Sequence, residues 1–190
     1  MLLPALSSAL PLPPLYTYLC DSVWELTKRH EYHRGGAFGT WTGQARFTPT
    51  SSFGSFHLLY TEEGSIVFDG AKTSFESAGR PLCYDCAASK CYFVESSSDA
   101  ASEEEILSLR FFHDLPMGTF TFDDKGFEAA ASEEPTSFEH LCVRDLYTGK
   151  FLIQDKDHFE ILWSVEGPSK QGSVDQTFTR IVTRGAEGVP

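Results

Sequence analysis

The sequence predicts an all-β fold: an antiparallel, up-and-down meander of about ten strands closed into a barrel. Two observations predict it. Apolar and polar residues alternate along segment after segment, the period-two pattern of a half-buried strand. Between those segments stand Gly, Pro and acidic turn residues, and helical spacing of apolar residues is almost absent. Closing a meander removes its exposed edges, so a barrel is the economical arrangement of such strands. With 190 residues, of which 41% are hydrophobic and 14% aromatic, the chain has enough apolar matter to fill one core.

Each element has its own warrant. Leu15 to Ser22 predicts one or two helical turns, with Pro14 suited to the first turn. From Val23 to His33 the pattern alternates, with Trp24, Leu26 and Lys28 on one side and Glu25, Thr27 and Arg29 on the other. Gly35-Gly36 marks a turn, and Phe38–Thr48 then puts Trp41, Gly43, Ala45 and Phe47 on one face. Phe56, Leu58, Tyr60 and Glu62 share the next face before Gly64 bends the chain. A strand from Phe75 to Tyr84 carries Arg80 and pairs with Cys91–Glu95. Ser96–Glu105 is an acidic, solvated loop. Glu105–His113 places Leu107, Leu109, Phe111 and His113 on one side, which aims His113 into the barrel. Gly118–Asp123 follows, then a second acidic loop, Asp124–Thr136. Ser137–Cys142 and Leu146–Gln154 form a hairpin. Phe159, Ile161, Trp163 and Val165 alternate, Gly167-Pro168 turns, and Val174–Thr183 ends the fold with Phe178 and Arg180 together. The organisation expected is a flexible extension over 1–14, a single barrel domain over 15–184 and a tail over 185–190.

Bulk chemistry excludes several roles. The net charge of -12 leaves no basic stripe to meet phosphate, so nucleic acid is not an expected partner. The five cysteines are odd in number and unevenly spaced, which argues against a secreted disulfide framework. Without a single Asn the chain has no N-glycosylation acceptor. The first fifteen residues are apolar but lack Lys and Arg and are broken by Pro4, Pro11, Pro13 and Pro14, a poor signal peptide. No stretch approaches the roughly 18 consecutive apolar residues of a membrane span. The expectation is a cytoplasmic protein without membrane insertion.

The densest polar cluster lies in Phe138–Phe151, which holds His140, Cys142, Arg144, Asp145 and Tyr147. A carboxylate beside a His orients the ring and raises its basicity, and a Tyr hydroxyl donates to a ligand oxygen. The alternative is a turn in which Asp145 accepts backbone N–H groups and Tyr147 packs its ring. Cys142, read as a buried thiol without a close cation, stays protonated and is a weak nucleophile. Cys83, Cys86 and Cys91 supply at most part of a zinc site, so the thiols read as incidental and no metal is expected. His113 in the interior is either a neutral ring able to ligate haem iron or act as a base, or a hydrogen-bonded core histidine. Lys28, Glu62, Arg80 and Lys170 stand on or beside apolar faces, so they pair with one another or sit at the barrel mouth. No motif points to a named enzyme class or identifies a catalytic residue.

Several of these residues form a wider pattern: Trp24-Glu-Leu26 with Lys28-Arg29; Gly43-x-Ala45-x-Phe47; Tyr60-x-Glu62-x-Gly64; Arg80; and Phe112-His113. His140-x-Cys142-x-x-Asp145-x-Tyr147, Trp163-x-Val165-x-Gly167-Pro168-x-Lys170 and Arg180 continue it. In this combination the chain resembles a family of bacterial and eukaryotic proteins known only as a domain of unknown function. It departs from that pattern in its long acidic loops and in Leu82, where an aromatic residue is more usual. The resemblance implies a lipocalin-like (calycin-type) barrel and brings no established activity. In such barrels a first-strand Trp is covered by a last-strand Arg, which here implies that Trp24 and Arg180 close one end.

The function expected is binding of a small, mostly hydrophobic molecule with a polar or anionic head. Trp41, Tyr60, Phe111 and Trp163 would line the interior. His113, His140, Asp145, Tyr147 and Arg80 would fix the polar end, with Glu62 and Lys170 beside them. Two other readings stay open: a barrel enzyme with a His/Asp/Tyr acid–base centre, and haem binding through an interior His.

Overall fold

The computed structural model describes residues 12–98, 105–115, 120–123, 126–129 and 136–181. Most of the expected N-terminal extension, the tail over 185–190 and much of both acidic loops lie outside these residues. The first element among the described residues is a six-residue helix, α1 (Pro14–Leu19), with Pro14 in its first turn. Three long strands follow, β1 (Ser22–Arg34), β2 (Phe38–Thr50) and β3 (His57–Phe68). After them come β4 (Phe75–Ala78), β5 (Leu82–Asp85), β6 (Lys90–Ser98) and β7 (Glu105–Asp114). A small hairpin, β8 (Phe120–Asp123) and β9 (Gly126–Ala129), forms a sheet of its own. The last four strands are β10 (Thr136–Cys142), β11 (Asp145–Ile153), β12 (His158–Glu166) and β13 (Gln171–Arg180).

Ten strands make a nearly closed antiparallel barrel in the order β10-β11-β12-β13-β1-β2-β3-β5-β6-β7, and β4 pairs with β3 off that path. The all-β prediction holds. β7 and β10 lie side by side, but no ladder joins them among the described residues. Rings close that seam instead. His113 of β7 stacks on Phe138 of β10 with centroids 4.4 Å apart, and Phe112 meets His140 at 4.8 Å.

The barrel has two unlike halves. At one end α1 inserts Leu15, Tyr18 and Leu19 against a dense aromatic core. Phe159 stacks on Phe178 at 4.1 Å and on Phe151 at 5.1 Å, and Trp24 meets its edge at 4.7 Å. Arg180 covers this end, with its guanidinium carbon 4.3 Å from the Trp24 ring centroid. Towards the other end, β1 carries Lys28, His30 and Tyr32 inward where Trp24 and Leu26 stood below. The core there gives way to a cavity.

The structure corrects three local expectations. The strand expected over 75–84 is two strands, β4 and β5, separated by Gly79, Arg80 and Pro81. Part of each acidic loop is strand: residues 96–98 of the first belong to β6, and residues 126–129 of the second are β9. In β7 the face assignment reverses, because Cys91 pairs with His113 but Tyr92 pairs with Phe111. Phe112 is the extra residue of a bulge, and one inserted residue switches the side on which its neighbours point. Phe111 and Leu107 therefore face solvent, at 48% and 43% exposure, while His113 is buried.

Candidate functional site

The open half of the barrel holds a cavity of about 320 Å³ and, adjoining it, a smaller one of about 180 Å³. Both are lined by Lys28, Phe93, Phe112, Trp163 and Gln176, which form the shared wall. Val165 and Val174 add apolar surface to the larger cavity, and His30, His140, Cys142 and Tyr147 add polar groups. The smaller one continues inward past Tyr60, Glu62, Tyr84 and His113. The seam supplies Phe112 and His140, so the place where the backbone ladder is missing is also a wall of the cavity.

At the floor, Lys28 Nζ donates to Glu62 Oε1, and the Tyr60 hydroxyl donates to Glu62 Oε2. The two charged side chains are only 14% and 7% exposed, so each requires the other. Burial lowers the Lys28 pKa, and the Glu62 charge opposes that fall. Trp41 lies beneath, its ring centroid 5.0 Å from Lys28 Nζ. Its indole crosses Gly43 and Gly64, which face each other on β2 and β3; a Cβ at Gly43 would meet the indole at 2.7 Å. Gly79 makes room in the same way for the Glu62 carboxylate. Trp41 is thus a support under Lys28 and is absent from both cavity walls.

The two histidines meet at one ring: the Phe112 centroid is 4.5 Å from His113 and 4.8 Å from His140. They line different cavities, His113 the inner and His140 the outer. His113 lies 2.7 Å from the Asp114 carbonyl oxygen through Nδ1, and a carbonyl can only accept, so Nδ1 carries the proton. Burial holds the His113 pKa down to about 4, leaving the ring neutral near pH 7.

Asp145 lies on neither cavity wall. Its Oδ1 accepts the backbone N–H groups of Ser169 at 2.9 Å and Lys170 at 3.2 Å. The carboxylate therefore clasps the β12–β13 turn, and no hydrogen bond joins it to a histidine among the described residues. Lys170 Nζ donates to the Tyr147 hydroxyl at 3.1 Å and stands behind the lining. Arg80 reaches the edge of the inner cavity, 2.9 Å from Glu95, with its guanidinium carbon 4.5 Å over Phe93. Arg110 shares Glu95 at 2.6 Å.

Of the residues singled out in the sequence, the cavities collect His113, His140, Tyr147, Tyr60, Glu62, Arg80 and Trp163. Phe111 is excluded by the bulge. Lys28, which alternation puts on the side of Trp24 and Leu26, lines both cavities, and His30, Tyr32, Phe93, Val174 and Gln176 join the lining without a motif that singles them out. The alternation Trp24, Leu26, Lys28, His30, Tyr32 carried the signal for those on β1. Cys142 is exposed, not buried as read from the sequence, and it edges the outer cavity. Burial pushes the Cys83 thiol up to about 11 and that of Cys86 to about 12, which leaves both as inert neutral groups. Among the described residues no cluster of three or more His, Cys, Asp or Glu is placed to hold a metal ion. No helix among them is long and apolar enough to cross a membrane.

A model of a family of unknown function matches residues 21–180. No curated protein matches the sequence. In fold the chain is similar to an S-type phycobiliprotein lyase, CPES, from Guillardia theta, with a TM-score of 0.50 and 8% identity. That match covers 90% of this chain and 92% of the lyase. A protein described as EF1p2_mFAP2b bound to DFHBI matches at a TM-score of 0.37 and 11% identity, covering 90% of this chain and all of the other, or 100%.

Proposed function

The chain belongs to the family of unknown function DUF6314, a name that carries no chemistry, and we propose from the cavity itself that it is a small-molecule-binding barrel. The ligand is a mostly hydrophobic molecule with a polar head. One observation carries this reading: a cavity of about 320 Å³ whose walls are Phe93, Phe112, Trp163, Val165 and Val174, with His30, His140, Tyr147 and Lys28 converging on it. Apolar walls supply affinity by removing ligand surface from water, and the few polar groups fix its orientation. The barrel is a single domain, and Trp24 with Arg180 seals the end away from the cavity.

The geometry favours binding over a His/Asp/Tyr acid–base centre, because Asp145 is committed to the β12–β13 turn. The test uses 1-anilinonaphthalene-8-sulfonate, an aromatic probe with a polar head. It is expected to bind at one site, to quench Trp163 and to be displaced by 1-dodecanol. Trp163→Phe weakens the quenching, leaving that of Trp41 and Trp24, and keeps the probe fluorescence, whereas Val174→Trp fills the cavity and abolishes binding in a protein that still folds. Binding undiminished by Val174→Trp would overturn the reading.

A further inference from the structure

Among the described residues Lys28 is the one lysine on the walls of the two cavities, and it touches both. A charge on the wall of an apolar cavity ordinarily signals an oppositely charged ligand. Here that conclusion fails, because Glu62 already neutralises the ammonium. A ligand carboxylate at this point would bring a second negative charge against a 7%-exposed Glu62, which low-dielectric surroundings penalise strongly. An uncharged carbonyl brings no such penalty. It also offers an electrophilic carbon to an amine whose charged form burial already disfavours.

We propose that the Lys28–Glu62 pair captures an aldehyde or ketone as a protonated imine on Lys28. This rests on the reading of the cavity as a ligand site and names the reactive group of the ligand. Lys28 Nζ passes one proton to Glu62 and bonds to the carbonyl carbon. The carbonyl oxygen takes one proton from that nitrogen and one back from Glu62, and leaves as water. The product is a cationic imine standing where the ammonium stood, against the same carboxylate, so the buried charge balance is unchanged. Glu62 is held for this role by the Tyr60 hydroxyl and by the gap at Gly79. The Trp41 ring face, centred 5.0 Å from Nζ, stabilises either cation. The aromatic walls formed by Phe112 and Trp163 suit a conjugated or aromatic tail.

The experiment incubates the full chain with cinnamaldehyde and sodium cyanoborohydride at neutral pH and maps the reduced adduct by peptide mass spectrometry. Cinnamyl alcohol, the same shape without the carbonyl, is run in parallel as a displacer of 1-anilinonaphthalene-8-sulfonate. The expected result is one reduced lysine adduct, on Lys28 and distinct in mass from any thiol addition product, its loss in Lys28→Arg, and its slower formation in Glu62→Gln. Arg keeps the ion pair but forms no imine, so Lys28→Arg is expected to fold, as urea unfolding reads, and to lose the adduct, whereas Lys150→Arg, at an exposed site off both cavity walls, keeps it. Displacement by the alcohol without an adduct on Lys28 would overturn the imine and leave the binding reading standing. Adducts spread evenly over exposed lysines, or no adduct at all, would overturn it too, and probe binding undiminished by Val174→Trp would overturn both readings.

Discussion

Arg180 lies across Trp24, its guanidinium carbon 4.3 Å from the indole centroid, and donates through Nη2 to the Tyr18 carbonyl oxygen at 2.7 Å. The last strand of the barrel thereby ties the first strand to the helix that plugs its end. Nε of the same side chain donates to the Lys156 carbonyl oxygen at 3.0 Å, in the β11–β12 connection. Arg180→Ala should lower the unfolding free energy by about 2–3 kcal/mol, the sum of a cation–π contact and charge-assisted hydrogen bonds. Urea denaturation measures it. Arg180→Lys should recover only part, because one ammonium does not reproduce a planar fork with several donors.

The Lys28–Glu62 pair makes a second prediction through its burial. Lys28→Met or Glu62→Leu alone strands a charge and should cost about 3–5 kcal/mol. The double variant removes both charges and should cost far less than either single change. A double-mutant cycle in urea reads the difference; additive losses would show that the two side chains do not depend on each other.

His113 makes stability depend on pH. Its folded pKa is about 4 against 6.5 for a free imidazole, so between those values the unfolded chain binds more protons than the folded one. Its contribution is complete above pH 6.5 and is lost progressively as the pH falls towards 4. The loss amounts to about 3 kcal/mol. Stability measured at intervals across that window should fall less steeply in His113→Gln than in the parent. Equal slopes would place the histidine outside the core.

Val143 offers a stabilising change. It stands in the β10–β11 turn at a φ of 60°, which disfavours a β-branched residue, and its side chain is 89% exposed. Little packing is lost by removing it. Val143→Gly should raise the unfolding free energy by about 1 kcal/mol, since relief of strain outweighs the added freedom of the unfolded chain. Thermal and urea unfolding check the sign.

Much of the barrel was legible because its long strands keep strict alternation. Trp24, Leu26 and Lys28 share an inward face, as do Trp41, Ala45 and Phe47, and Phe159, Ile161 and Trp163. The β7 face was not legible. Phe112 bulges against Cys91 and Tyr92, and no local residue type announces where a ladder gains a residue. Asp145 was equally ambiguous. It finds its partners 24 and 25 residues further along, so its neighbours in sequence say nothing of its role.

What the sequence determined by itself is the class of fold and the inward set of most strands, because period-two alternation is written in consecutive residues. What only the tertiary structure decided is which polar groups on that inward surface meet. Lys28 and Glu62 are 34 residues apart and face each other across β2 through the registers of two ladders. His113 and His140 meet at Phe112 only because β7 and β10, the ends of the sheet, come together. Alternation assigns a residue to a side. Register, bulges and closure place it beside a partner, and those depend on strands far apart in the chain.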